Sequence, residues 1–256
     1  MSIKVARLAA MLAAALLLAA CAKSDKRTVQ GWIEAELVFV SPDEQGRIEI
    51  EKVREGDRVQ TGELLFTVDD DIQKADVMVK KTAMVNAEQN FDRAKQLLKT
   101  QAGTQKTYED AEAALRQAKA NLDSSQTRLN RRSVYSPGNG TIEQVYYRVG
   151  ETVPPGRAVV ALLPPQNLKV RFFVPEGLLP TIKYGEAVTV TCDGCDKGLT
   201  AKVSFIARTA EFTPPVIYSL DERAKLVFLI EARPANPEKL RVGQPVSVTL
   251  PNGSPP

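Results

Sequence analysis

The stretch from Asp71 to Arg132 restricts what this chain can fold into more than any other. Tyr108, Ala111, Leu115, Ala118, Leu122, Ser125 and Leu129 recur in alternating steps of three and four. That spacing draws one narrow apolar stripe along an otherwise charged helix. Reading back from Ala102-Gly103, Leu98, Ala94, Phe91, Ala87, Met84 and Val77 keep the same rhythm, with Lys80 interrupting it. Two seams joined by a short glycine-containing turn predict a long antiparallel α-helical hairpin. At about 1.5 Å per residue each arm would extend roughly 45 Å, with small alanine positions letting the arms approach closely. The outer faces are polar, so the element reads as a stalk.

Composition narrows the chemistry. The chain has 256 residues, 43% of them hydrophobic, and a formal net charge of +3. That charge is too mild to argue for nucleic acid, and no Arg/Lys cluster interleaved with aromatics occurs. Histidine is absent, which removes the commonest general base and metal ligand and every Ser/His or Cys/His nucleophile. No glycine-rich phosphate loop follows a strand. Enzyme chemistry would have to come from carboxylate, lysine or cysteine, and no constellation of these stands out. The expectation is a protein without catalytic residues, cofactor or metal.

The N-terminus reads as an address. Lys4 and Arg7 precede an apolar run from Leu8 to Ala20 that ends at Cys21, a secretory signal too short to span a bilayer. Leu18-Ala19-Ala20-Cys21 resembles the lipobox of bacterial lipoproteins, which implies acylation of Cys21 and attachment to a membrane surface. Ala22 at the second mature position matches the commonest rule for outer-membrane sorting, whereas Lys23-Ser24 resembles an inner-membrane retention signal. The inner membrane is favoured over the outer.

On either side of the helical stretch the chain is β-rich. Thr28 to Val40, Gly46 to Ile50, Val53 to Val59 and Thr61 to Val68 alternate apolar and polar residues between Glu-Gly-Asp and Thr-Gly turns. The phrase returns as Gly140-Thr141-Ile142-Glu143-Gln144-Val145, Val149-Gly150-Glu151-Thr152-Val153 and Pro155 to Val160. It is an internal repeat split by an insertion.

This layout resembles the HlyD-type membrane fusion proteins, the periplasmic adaptors of efflux and secretion pumps. The resemblance implies a lipoyl/biotinyl-like β-sandwich whose halves flank an α-hairpin. In lipoyl and biotinyl carriers a modified lysine occupies the turn between halves; here the helical stretch fills it, so swinging-arm chemistry is not expected. Adaptors that engage TolC-like channels carry an Arg, a following Leu, a Ser or Thr past the turn and then an apolar residue. Arg93, Leu97, Thr104 and Tyr108 match that spacing, with Leu98 beside them, and are expected to form a channel-docking tip. Ala94 and Gly103 depart from the pattern, which usually has larger apolar residues there. The competing reading is that Leu97, Leu98 and Tyr108 close the hairpin core and Arg93 is a solvated charge.

From Leu168 the chain is expected to build a small β-barrel, with strands near Leu168–Val174, Ala187–Thr191, Lys202–Ala207, Lys225–Ala232 and Val246–Leu250 and a short helical stretch at Gly177–Ile182. Cys21–Thr28 and Asn252–Pro256 are too short for the extra membrane-proximal domain usual in adaptors of RND pumps. Ala210 to Ser219 resembles an element of a YbhG-like branch associated with ABC-type exporters. Glu211, Phe212, Thr213 and Tyr218 in this proline-stiffened segment are candidates for contact with a transporter or a neighbouring protomer, the alternative being a loop packed on its own barrel.

Of three cysteines, Cys21 is assigned to lipid, leaving Cys192-Asp193-Gly194-Cys195. An oxidising periplasm favours a Cys192–Cys195 disulfide across the Asp-Gly turn. A metal or redox pair is the alternative, although neither further thiolates nor imidazoles nor a βαβ context is present.

The expected order is thus signal peptide 1–20, lipidated linker 21–27, first lipoyl-like half 28–69, α-hairpin 70–133, second half 134–165, β-barrel 166–251 and tail 252–256. The fold class is mainly β with a long helical hairpin. The expected function is a non-enzymatic adaptor that forms a homo-oligomer, with a hexamer the expected ring. It would link an inner-membrane transporter, ABC-type favoured, to a TolC-like outer-membrane channel. An RND or MFS pump, a structural envelope lipoprotein without a transporter, and a redox module on Cys192 and Cys195 are the alternatives.

Overall fold

The two copies of the repeated β phrase do not fold as separate halves. In the computed structural model, which describes residues 27–195, 198–212 and 226–251, they interleave. The expected signal peptide, Cys21, Thr213, Tyr218, the Phe212 side chain and residues 252–256 lie outside the described residues.

In chain order the first copy supplies β2 (Val38–Val40), β3 (Gly46–Glu51), β4 (Arg58–Val59) and β5 (Leu64–Val68), after a strand β1 (Thr28–Ala35). Two helices follow, α1 (Asp71–Lys99) and α2 (Gln105–Asn130). The second copy supplies β6 (Ser133–Tyr135), β7 (Gly140–Val145), β8 (Thr152–Val153) and β9 (Val160–Leu163). One four-stranded sheet has the order β2-β9-β7-β4, the other β6-β5-β3-β8. Each sheet therefore takes two strands from each copy. Both face one apolar core that includes Ile48, Leu65, Phe66, Ile142, Val153, Val160 and Leu162. Burying a side chain such as Phe66, which is fully enclosed, contributes about 1.5–3 kcal/mol.

The exchange between copies is reciprocal to the atom. Gly56 N–H donates to the Ile142 carbonyl at 2.7 Å, and Gly150 N–H donates to the Ile48 carbonyl at 2.8 Å. Ile142 N–H in turn donates to Asp57 O, as Ile48 N–H does to Glu151 O. Each turn is closed by its own acid: Arg54 N–H donates to Asp57 Oδ2 at 2.7 Å, and Arg148 N–H to Glu151 Oε2 at 2.8 Å. Gly56 and Gly150 have φ of +91° and +92°, the left-handed geometry that a side chain disfavours.

The remaining strands are β10 (Leu168–Pro175), β11 (Ala187–Thr191), β12 (Thr200–Ile206), β13 (Glu211–Phe212), β14 (Leu226–Pro234) and β15 (Pro245–Thr249). They form a seven-stranded sheet ordered β10-β1-β15-β11-β12-β14-β13, and pairing of β10 with β14 closes six strands into a barrel. Strict alternation drives closure: Leu168, Val170, Phe172 and Val174 of β10 are buried while Lys169, Arg171 and Phe173 face outward. The expected short helical stretch is a 3₁₀ helix, Glu176–Thr181.

One domain boundary is corrected. β1, assigned from sequence to the first sandwich half, belongs to the barrel, paired with β10 through Gly31↔Phe172 and with β15 through Thr28↔Thr249. Its inward residues Gly31 and Ile33 are buried, and outward Glu34 meets Arg171 Nη1 at 2.9 Å. The chain accordingly divides into two compact units, Glu36–Asn167 and the N-terminal strand joined to the chain from Leu168.

Candidate docking tip

The helix pair is built by its seam. Val77, Met84, Ala87, Phe91, Ala94 and Leu98 of α1 are buried or half-buried, as are Tyr108, Ala111, Leu115, Ala118, Leu122, Ser125 and Leu129 of α2. Their flanking positions are mostly exposed. The helices run antiparallel: late in α1 the Phe91 ring lies 5.4 Å from that of Tyr108, early in α2. At the far end Ser125 Oγ donates to Asp76 Oδ2 at 2.6 Å.

The turn between the helices is held by backbone and hydroxyl groups. The Leu97 carbonyl accepts from Ala102 N–H at 2.9 Å and Gly103 N–H at 3.0 Å, and from Thr100 Oγ1 at 3.1 Å. The Leu97 carbonyl, one of the orphan acceptors of the helix end, is satisfied in this way. Thr104 then caps α2, its Oγ1 accepting from Thr107 N–H at 3.2 Å. A Cβ at Gly103 would stand 3.0 Å from Leu97 Cβ and 3.2 Å from the Leu97 carbonyl carbon. The departure from the adaptor pattern at Gly103 therefore has a local cause: this turn folds back on Leu97 too tightly for a branched side chain.

The structure sorts the expected tip residues into two groups. Leu98 and Tyr108 are half-buried in the seam, whereas Arg93, Leu97 and Thr104 are exposed, Leu97 to 42%. Lys95 lies over the Phe91 ring at 5.8 Å. The tip thus presents an apolar Leu97 among cations and hydroxyls, a surface able to bind by shape and hydrogen bonding. Among the described residues no cluster of three or more His, Cys, Asp or Glu side chains could hold a metal.

The opposite end carries residues that the sequence did not single out. Arg132, 8% exposed, donates through Nη1 to the Gln45 carbonyl at 2.9 Å and through Nη2 to Glu44 Oε2 at 3.1 Å. The Gln73 amide oxygen, turned toward it, accepts as well. This guanidinium ties α1, the segment after α2 and the β2–β3 connection together. At the start of α1, Lys74 Nζ lies 2.7 Å from Asp70 Oδ1, and that hydrogen bond and charge hold the ammonium above its ordinary value. Of the other expected sites, Glu211 lies in β13, paired with Val227, and Cys192 and Cys195 are joined as a disulfide with Cα atoms 5.3 Å apart.

Solved structures share this combination of a closed barrel, two interleaved sheets and an inserted helix pair. The membrane fusion protein Spr0693 from Streptococcus pneumoniae has this fold, with a TM-score of 0.67 at 20% identity over 87% of this chain and 98% of that one. A MacA-MexA chimera containing the Pseudomonas aeruginosa MexA alpha-hairpin domain gives 0.67 at 24% identity, covering 88% and 80%. No family model matches the chain. A UPF0194 membrane protein of Yersinia enterocolitica is 31% identical over 86% of this chain and 88% of its own length. Another, encoded in the asrC 5' region of Acidithiobacillus ferridurans, is 27% identical over 88% and 86%. The UPF0194 membrane protein YbhG of Salmonella arizonae is 30% identical over 45% of this chain and 36% of its own length. The chain belongs to the UPF0194 membrane protein family. Among the described residues no helix is long and apolar enough to cross a membrane.

Proposed function

We propose that this protein is a non-enzymatic periplasmic adaptor, lipid-anchored through Cys21 at the inner membrane. It couples an ABC-type exporter to a TolC-like outer-membrane channel. The observation that supports this most directly is the helix pair: an α-hairpin stalk whose seam is apolar, whose sides are charged and whose turn leaves Leu97 42% exposed beside exposed Arg93. A single exposed leucine is ordinary by itself; what supports docking is its place at the turn, beside an exposed arginine. A channel's helical end is the partner of matching shape. Copies of the chain, six in the expected ring, would bundle their hairpins into a conduit and pass on the exporter's motion. Glu211 and the segment that follows are the candidate transporter contact.

The test is cross-linking in intact envelopes, pull-down of the tagged protein and mass spectrometry, for wild type and for Leu97→Asp. Recovery of an ABC permease and a TolC-like channel by wild type, with the channel lost from Leu97→Asp, is the expected result. An RND or MFS partner would keep the adaptor and replace the exporter class. Recovery of neither, where a known adaptor is captured, would leave a structural envelope lipoprotein. Replacing Cys21 by Ser should abolish labelling of the protein with radioactive palmitate; labelling of the variant at the wild-type level would remove the anchor.

A further inference from the structure

In the barrel unit Gln244 holds both sulfurs of the disulfide. Its side-chain amide is oriented by the turn that contains it: Oε1 accepts from Arg241 N–H at 3.1 Å, so the amide nitrogen must point the other way. There Nε2 lies 3.3 Å from Cys192 Sγ and 3.8 Å from Cys195 Sγ. The backbone keeps this arrangement in place. Cys192 follows directly on β11, Gln244 directly precedes β15, and the two strands pair through Thr191↔Ser247. Cys192 and Cys195 are half-buried, while the Asp193-Gly194 turn between them is exposed. A neutral disulfide gains little from an amide donor. A thiolate gains much more, because a hydrogen bond to an ionised acceptor is the stronger kind.

We propose that Cys192–Cys195 is a site of reversible thiol–disulfide exchange with a protein dithiol, in which Gln244 stabilises Cys192 as the departing thiolate. An incoming thiolate attacks Cys195 Sγ, the Sγ–Sγ bond breaks, and its electron pair goes to Cys192 Sγ, the sulfur nearer the amide. Attack favours the sulfur whose partner leaves more readily. The reductant's second thiol, losing its proton, then attacks its own sulfur in the mixed disulfide and releases Cys195. Two electrons have passed: the reductant ends as a disulfide and this chain as a dithiol, its thiolates taking protons from water. The exchange is independent of the transport role, and it would free the Cys-Asp-Gly-Cys turn at one end of the barrel.

The test uses the full-length protein and dithiothreitol as the probe dithiol. After reduction, iodoacetamide is applied across a pH series and each cysteine peptide is quantified by mass spectrometry. Cys192 is expected to alkylate at lower pH than Cys195, and below the ordinary cysteine value of about 8.5. Gln244→Leu should slow Cys192 alkylation near neutral pH by about tenfold, the equivalent of one hydrogen bond to a charged group. Gln244→Glu keeps an acceptor for Arg241 N–H while replacing the donor by a carboxylate, and should slow it at least as much. Trapping with glutathione should place the mixed disulfide on Cys195. The proposal is overturned if Cys195 reacts first, or if both Gln244 variants leave the Cys192 profile unmoved. It is equally overturned if dithiothreitol reduces the bond only after the protein is unfolded in guanidinium.

Discussion

Ser125 donates its hydroxyl to Asp76 across the helix pair at 2.6 Å, and the two ends of that bond lie in different surroundings. Ser125 is 6% exposed, whereas the Asp76 side chain is 43% exposed with Lys80 nearby at 4.0 Å. Removing one end is therefore not equivalent to removing the other. Ser125→Ala leaves an aspartate that water can reach and should cost about 1 kcal/mol. Asp76→Ala strands a buried hydroxyl and should cost about 2 kcal/mol. The double variant should fall short of the sum, a non-additivity that chemical denaturation of the four proteins would measure.

Arg132 should be the most sensitive polar residue of the sandwich unit. Arg132→Ala unpairs the Gln45 carbonyl and the Gln73 amide, while Glu44, 46% exposed, returns to water. The expected loss is about 2 kcal/mol in the unfolding free energy. Arg132→Lys should recover less than half, since one ammonium cannot replace donors held 2.9 Å and 3.1 Å from two separate acceptors. Equal stability of the lysine variant and wild type would show that only the charge matters.

Gly56→Ala and Gly150→Ala should cost the same. Nothing lies within 4 Å of a Cβ at either position, so the penalty is that of a left-handed backbone alone, about 1–2 kcal/mol. Thermal unfolding of the two variants should agree within experimental error. A large difference would mean that the repeat is symmetric in hydrogen bonding but not in energy.

At the tip, Thr104→Ala should cost about 1 kcal/mol by removing the cap of α2, and Thr104→Ser should restore it. Gly103→Ile, although it brings the turn closer to the adaptor pattern, should disturb the loop against Leu97 and reduce channel capture while leaving the barrel's unfolding unchanged. Capture at the wild-type level would show that the turn opens to accept the branch.

Much of this was legible beforehand, for a physical reason. Seam positions such as Phe91, Leu115 and Leu129 announce themselves because helical burial repeats at three and four residues. The Gly56 and Gly150 turns stand out because a glycine before an acid marks a left-handed bend. The place of β1 was not legible, because the alternation around Gly31 and Ile33 would suit the face of either sheet, and only the partner strand decides. Arg132 and Gln244 escaped for another reason. Each works through atoms distant in sequence, Gln45 O for one and the Cys192 sulfur for the other, and neither sits in a local pattern.

The reciprocal exchange of β4 and β8 between the two copies has a bearing on the order in which the chain can fold. While only the chain as far as β5 is available for folding, β3 still lacks β8 and β4 still lacks β7. The first copy alone cannot close its core, and non-local pairing of this kind is slow to form. The helix pair shortens the wait, since its antiparallel arms return the chain to its starting point and set Ser133 opposite Thr67. It acts as a zipper that removes most of the loop-closure cost before the second copy arrives. β1 waits longest, because Thr28 meets Thr249 only when the chain through β15 is in place.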